Sequence, residues 1–326
     1  MGKGILITAG TVIALMGIVT GTSATPLPTN QSIEGNRTVQ LGKEQIEVSG
    51  RLGFGRIWGE SRELVYEKNR KVSELIWPLD NVYMLNAGVS VQPSSWLKLN
   101  ADIWFAVSNG GGKMDDYDWT AQGMDWTHWS HDEDTPLDRG IMFDINAEIP
   151  FYHINRTTFS AFLGLKQDNW KWNSYGGSYI YSHNAFRDST GTFPDDELGI
   201  SYEQWWTVPY IGLGFASSLS NWDFSGRLIA SPFVQGRDED MHHLRNLFFE
   251  EDFDNSFMWS IDLAANYKID PQWGIIGAFK YQYYQEALGT TTMTNMVTGE
   301  QVFFGGDAAG GDNRALLLTL SLDYQF

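Results

Sequence analysis

Leu316-Leu317-Leu318-Thr319-Leu320-Ser321-Leu322-Asp323-Tyr324-Gln325-Phe326 closes the chain with every even position apolar and most odd positions polar. Successive side chains of a β-strand point to opposite faces, so a period of two means one apolar face and one polar face. A sandwich strand would show the same period. The expectation here is a strand with lipid on one side and a polar interior on the other, because of what the rest of the sequence carries.

The 326 residues include 34 Gly, 14 Trp, 14 Tyr and 19 Phe. Glycine and aromatics at this level suit an all-β protein with tight turns and aromatic girdles, and the length suits one barrel. Cysteine is absent, which excludes thiolate nucleophiles and Cys-based zinc sites. No charged residue occurs between Lys3 and Glu34, Ile5–Thr20 is apolar, and Thr22-Ser23-Ala24 ends in a small residue. That pattern predicts a secretory signal peptide over 1–24 rather than an anchor helix, since the apolar run falls short of the roughly 20 residues that span a bilayer. Residues 25–43 then form a polar, proline-containing lead-in, and 44–326 the barrel domain. An aromatic ending on Phe326, with Tyr324 two before it, resembles the closing strand of bacterial outer-membrane barrels.

Alternation recurs along the chain and yields about ten strands, over 44–67, 71–92, 96–113, 137–151, 157–181, 199–216, 222–238, 255–269, 273–288 and 312–326. Short turns fall at Pro93-Ser94-Ser95, near Tyr152–Arg156, at Ser218–Asn221 and at Asp270-Pro271-Gln272. Longer loops are expected over 114–136, 182–198, 239–254 and 289–311. The reading is therefore a ten-stranded antiparallel transmembrane β-barrel whose long loops face outside the cell, with several strands rising above the 9–11 residues a bilayer needs. The formal charge is −18. It argues against nucleic acid or bare anionic lipid as the main partner and favours cationic partners such as basic peptides or proteins, though simple solubility would give the same balance; outer-membrane lipid is expected around the barrel wall. Oligomeric state has no signature in the sequence.

Two short motifs carry chemistry. In Asp116-Tyr117-Asp118 the i, i+2 spacing of a strand places two carboxylates on one side, and two close carboxylates resist ionising together. Alone, such a triplet more often marks solvated loop acids or a calcium ligand. Asp240-Met241-His242 repeats the spacing: an aspartate beside a histidine orients the ring and lets it act as a general base. Asp238 shares that face, and Glu63 lies near another strand end, where both would ordinarily be solvated rim charges. His243 should point away. His128, His131 and Asp132 form a competing zinc-like constellation, which lacks the helix-based His–Glu–His spacing of zinc proteases.

From about residue 53 to 326 the chain resembles the omptins, a family of Gram-negative outer-membrane proteases. The resemblance is carried by Met114-Asp115-Asp116-Tyr117-Asp118-Trp119, Gly176-Gly177-Ser178-Tyr179-Ile180-Tyr181-Ser182, Phe186-Arg187-Asp188, Phe193-Pro194, Pro209-Tyr210-Ile211-Gly212-Leu213 and the Asp238-to-His242 segment, in family order. It implies an endopeptidase in which Asp116 and Asp118 face Asp240 and His242 across a groove at the barrel mouth. A water between the pairs attacks the peptide bond, with no acyl-enzyme and no metal or cofactor. It further implies that Glu63 and Asp238 receive the Arg or Lys before the cut, with Met114 and Ile200 as apolar walls.

Two departures stand out. The family often has an acid for the residue after the cut, and the matching position here is His128. The family's lipopolysaccharide activator binds through basic and polar residues, and at the matching positions stand Leu165, Gln167, Asn169 and Trp205. The phosphate-binding cluster is thus essentially gone, leaving either a different lipid contact or no need of that activator. The alternatives from other classes are an inactive omptin-like barrel acting as an adhesin, a porin, and a zinc hydrolase. No serine nucleophile with a histidine partner stands out to support a lipase.

Overall fold

In β13 (Gln301–Gln325) the alternation read from the sequence becomes two environments. Leu318, Leu320 and Leu322 stand exposed on the outside, while Leu317, Ser321 and Asp323 are buried within. A computed structural model describes residues 46–326; the expected signal peptide and lead-in lie outside the described residues. β13 pairs antiparallel with β1 (Glu47–Glu67), Leu320 opposite Phe54 and Leu322 opposite Leu52, and this pairing of last strand with first closes the sheet.

The other strands follow in order: β2 (Arg70–Ser94), β3 (Leu97–Ala106), β4 (Gly112–Asp118), β5 (His128–Thr135), β6 (Leu137–Ile154), β7 (Thr157–Tyr181), β8 (Ser189–Leu219), β9 (Trp222–His242), β10 (Leu247–Phe253), β11 (Ser256–Lys268) and β12 (Trp273–Asn295). These thirteen segments make ten staves, because β3 and β4, β5 and β6, and β10 and β11 are each one stave interrupted. The β5–β6 break falls at Pro136, which has no N–H to give a ladder. Every pairing is antiparallel, and a closed ring leaves no free edge.

The staves are long: β2, β7 and β13 have 25 residues each and β8 has 31. Twenty-five residues tilted at barrel angles rise roughly 60 Å along the axis, more than twice an apolar band of about 25 Å. The outward apolar band, with Leu163, Ile211, Leu213 and Leu228 among its most exposed members, occupies the half nearer the short turns. Aromatic pairs such as Trp273–Tyr324 (4.6 Å) and Trp222–Tyr267 (5.0 Å) gather beside those turns, where amphipathic rings suit a membrane boundary.

The upper half corrects the expected loops. Residues 114–118, 128–135, 189–198, 239–242, 247–253, 289–295 and 301–311 are strand, and the connections shrink to 119–127, 182–188, 243–246 and 296–300. The reason is solvation. Above the lipid both faces of the barrel wall can be polar, so the alternation that marks a strand fades. Thr290 to Thr292 and Thr294 still have the β-branched stiffness that pleated sheet favours.

The lumen is filled rather than open, as expected for a barrel this narrow. Trp77, Trp104, Trp170, Trp172 and Tyr202 form one buried layer, and Trp206, Tyr210, Phe253 and Tyr284 a second. Ion pairs occupy the rest. Arg227 bridges Asp144 (3.0 Å) and Asp262 (2.7 Å), and Lys166 pairs with Asp168. A channel function has no path through such packing.

Candidate active site

Above the Trp77 layer the barrel opens into a cavity of about 840 Å³. Two walls carry the groups singled out in the sequence. β4 brings Asp116 and Asp118 to one side, and β9 brings Asp240 and His242 to the other, with β5, β7 and β8 between them around the ring. The strand period explains the selection. Asp115 and Tyr117 face outward, where Trp129 Nε1 (2.9 Å) and His131 Nδ1 (2.8 Å) meet Asp115. Asp116 and Asp118 face inward, with Ser73 of β2 opposite Asp118 and its Oγ 3.5 Å from Asp116 Oδ1.

Both carboxyls of the β4 pair are pushed above the ordinary aspartate range. Desolvation is the first cause for each; for Asp116 the charge of Asp118 follows, and Asp240 across the cavity also contributes. For Asp118 the Ser73 hydroxyl, His128, Arg245 and His242 act in the opposite sense. On β9, His242 Nε2 lies 2.5 Å from Asp240 Oδ2. The contact is close but poorly aligned, so neither oxygen of the buried Asp240 has a directed hydrogen bond among the described residues. Arg245, in the turn after β9, lays its guanidinium against the His242 ring, with NH2 3.2 Å from Nε2 and closer to Nδ1. Phe249 packs edge-on at 5.5 Å.

Glu63 and Asp238 sit deeper, 3 % and 1 % exposed. The floor beneath them is the stacked pair Trp77–Tyr202, 4.9 Å apart, and both rings donate upward: Trp77 Nε1 to Glu63 Oε2 (3.3 Å) and Tyr202 Oη to Asp238 Oδ2 (2.7 Å). Burial, followed by the charges of Asp240, Glu251 and Asp238, pushes Glu63 well up; burial first of all pushes Asp238 to about 8. Ile200 reaches the cavity surface. Met114 is wholly buried in the aromatic layer below and does not line the cavity.

The zinc-like constellation is not assembled. In a strand i and i+3 point to opposite faces, so His128 lines the cavity while His131 stacks outside on Trp129 at 5.5 Å. Asp132 is inside, bonded by Ser174 Oγ and pushed up to about 6, mainly by burial. It packs against the glycine motif. Gly177 has φ +108, and a Cβ there would lie 2.4 Å from Asp132 Oδ1, which explains why glycine stands at this bulge. His243 turns away from the cavity and meets Ser201 Oγ at 2.9 Å, as expected.

A model of the Omptin family matches residues 44–326. The chain belongs to the omptin family. It is 32% identical to the plasminogen activator of Yersinia pestis over 83% of this chain and 87% of that one. It is 30% identical to the outer membrane protease OmpP of Escherichia coli K12, over 86% and 90%. The crystal structure of the outer membrane protease OmpT of Escherichia coli superposes with a TM-score of 0.82 at 24% identity, covering 89% of this chain and 99% of that one. This omptin is thus an all-β barrel of an outer-membrane protease family, and the groups described above lie in its upper cavity.

Four contributors escaped the sequence reading. Arg245 stands in a turn and shows no periodicity. Tyr202 and Trp77 read as ordinary strand aromatics until the ring stacks them. Glu251 had a usable signal: Phe249, Glu251 and Phe253 alternate with Phe248, Glu250 and Asp252, which places one acid of that run on the inner face. On the outer wall, Gln167 and Asn169 are engaged with Thr207 (3.4 Å) and Glu203 (3.0 Å), and Arg237 stacks over Trp205 at 4.2 Å.

Proposed function

We propose that this omptin is an outer-membrane endopeptidase, its site open to the extracellular side, that cuts peptides after Arg or Lys. The observation that carries the reading is the pair of facing walls, Asp116–Asp118 against Asp240–His242, in a cavity that Glu63 also lines, with Asp238 buried behind its wall.

A water held between the walls loses its proton to His242 as its oxygen attacks the scissile carbonyl. Asp240 stabilises the imidazolium that results. Burial, and for Asp116 the neighbouring charge of Asp118, push both carboxyls of the β4 pair up and favour a proton on the pair, and a protonated member donates a hydrogen bond to the developing oxyanion. Cleavage ends with a proton delivered to the leaving amine. No atom of the enzyme becomes covalently attached to the substrate.

The basic side chain enters below. Its alkyl stem packs on Ile200 and Leu75, and its charged head replaces water with Glu63 and Asp238. The residue after the cut meets His128, whose ring lies 4.9 Å from that of Tyr181, so no carboxylate selects a basic residue there. Leu165, Gln167, Asn169 and Trp205 offer a phosphate-rich activator no charge of their own; the cations beside them are Arg237, which stacks on Trp205, and Arg139 and Lys171, which are paired with Glu203.

The test is cleavage of a fluorogenic peptide with one central Arg-Arg bond by refolded protein, with and without lipopolysaccharide, with EDTA, and beside His242→Ala. EDTA-resistant cutting that vanishes in the variant is expected, and the lipid arm reads the activator directly. A folded barrel that cuts nothing under any lipid would favour the inactive, adhesin-like reading.

A further inference from the structure

We propose that Glu251 is a third carboxylate of the specificity pocket and makes the pocket select arginine over lysine. The proposal rests on the reading that Glu63 and Asp238 receive the basic residue before the cut.

Glu251 is on the short strand β10, directly opposite Asp238 of β9 on one side and Thr291 of β12 on the other. It points inward between Phe249 and Phe253 and is 3 % exposed, yet it lines the cavity. Its Oε2 has no hydrogen-bond partner among the described residues, and neither has Asp238 Oδ1 nor Thr291 Oγ1. Two carboxyls, facing each other across adjacent strands with the Thr291 hydroxyl beside Glu251, are therefore buried together without a cation. Among the described residues no lysine or arginine pairs with Glu63, Asp238 or Glu251: Arg62 is committed to Asp312 and Glu74, and Arg245 lies on His242. Burial of an acceptor without a donor is costly, and like charges side by side add to the cost. The arrangement makes sense if the missing donors arrive with the substrate.

The geometry distinguishes the two basic side chains. Glu63 and Asp238 each spend one oxygen on a fixed donor of the floor, Trp77 and Tyr202. Glu251 spends none on the floor. It lines the cavity from β10 and contacts Asp238, which is buried just behind the cavity wall. An ammonium is a compact point charge with three donors on one nitrogen, and two carboxylates largely satisfy it. A guanidinium presents five N–H groups along a planar fork, so after one edge meets Glu63 the other still has donors for Asp238 and Glu251. A pocket with acceptors on β1, β9 and β10 matches the wider group.

The experiment compares full-length refolded wild type with Glu251→Gln on two peptides identical except for Arg or Lys before the cut. Agmatine and cadaverine serve as competing inhibitors, to read binding apart from chemistry. The variant is isosteric and removes a buried charge, so folding should survive, and heat-modifiable mobility on a gel checks it. The expected result is a fall of about tenfold or more in the Arg-to-Lys ratio of kcat/KM, carried mainly by KM, with agmatine weakened and cadaverine little changed. An unchanged ratio with unchanged agmatine binding overturns the proposal. Asp238→Asn runs beside it: if that variant also keeps full activity on both peptides, the pocket reading itself fails, and if it loses both while Glu251→Gln changes nothing, only the role of Glu251 does.

Discussion

The ringed lumen of the membrane half and the pocket of the upper half treat buried carboxylates in opposite ways. In the membrane half every strongly buried acid of the lumen that lies among the rings has a cation: Asp144 and Asp262 share Arg227, Asp262 also meets Lys280 (3.4 Å), and Lys166 pairs with Asp168, which further accepts from Tyr284 Oη (2.6 Å). In the upper half Glu63, Asp238 and Glu251 are as deeply buried and have only neutral donors or none. The same sheet supports both. Paired charge fixes a core that must not move, whereas unpaired charge stores an affinity for something that is not part of the chain.

That contrast can be broken by mutation. The largest effect should come from His242→Ala, which should reduce kcat on the order of 10³-fold or more while the unfolding transition stays put. A comparable loss of stability with the loss of rate would mean that the upper half is structural too. Next, Asp168→Ala strands the Lys166 ammonium in the lower lumen and should cost about 3–5 kcal/mol in denaturant unfolding, with activity per folded molecule preserved. Glu63→Gln should do the reverse, raising the stability of the empty enzyme by about 1 kcal/mol by relieving repulsion, and weakening basic substrates through KM. A Glu63→Gln protein less stable than wild type would show that this acid is satisfied after all.

The smallest effect is in pH. Asp238 is pushed up to about 8 and Glu63 and Glu251 are pushed the same way, burial being the first cause in each. Folded carboxyls that bind protons more tightly than unfolded ones stabilise fully below the unfolded carboxylate range, and that contribution is lost as pH rises through the folded value. Tm of the empty protein should therefore decline between about pH 5 and 9. Asp238→Asn should flatten the decline. A Tm that rises over this window would sink the assignment.

Much of this was legible in the sequence where lipid imposes a period. Leu316 to Phe326 announced an outward apolar face, and the short turns fell where the structure has them. Above the lipid the same logic lost its signal: water wets both faces, so 289–311 read as loop although most of it is strand. The i, i+2 rule placed Asp116 with Asp118 and Asp238 with Asp240 and His242 because it needs only an extended backbone. It would equally have separated His128 from His131 had 128–135 been read as strand. Glu251 was hidden in Glu250-Glu251-Asp252, which composition reads as a solvated run. The alternation of Phe249, Glu251 and Phe253 separates it from its neighbours once 247–253 is taken as strand, and the pairing of β10 with β9 and β12 shows that this face turns inward. Met114 shows the converse: the family resemblance implied a cavity wall, but the ring of tryptophans claims it for the layer below.

The closure of β13 onto β1 has a consequence for timing. Glu63 sits on the first stave with Gly311 of the last beside it, whereas Asp238 and the Asp240–His242 pair arrive on a stave made much later. Until the final strand seals the ring, the acids of the pocket and the two walls above it have no fixed relation to one another. A chain in transit to the membrane therefore carries every group of its proposed chemistry while lacking the chemistry itself.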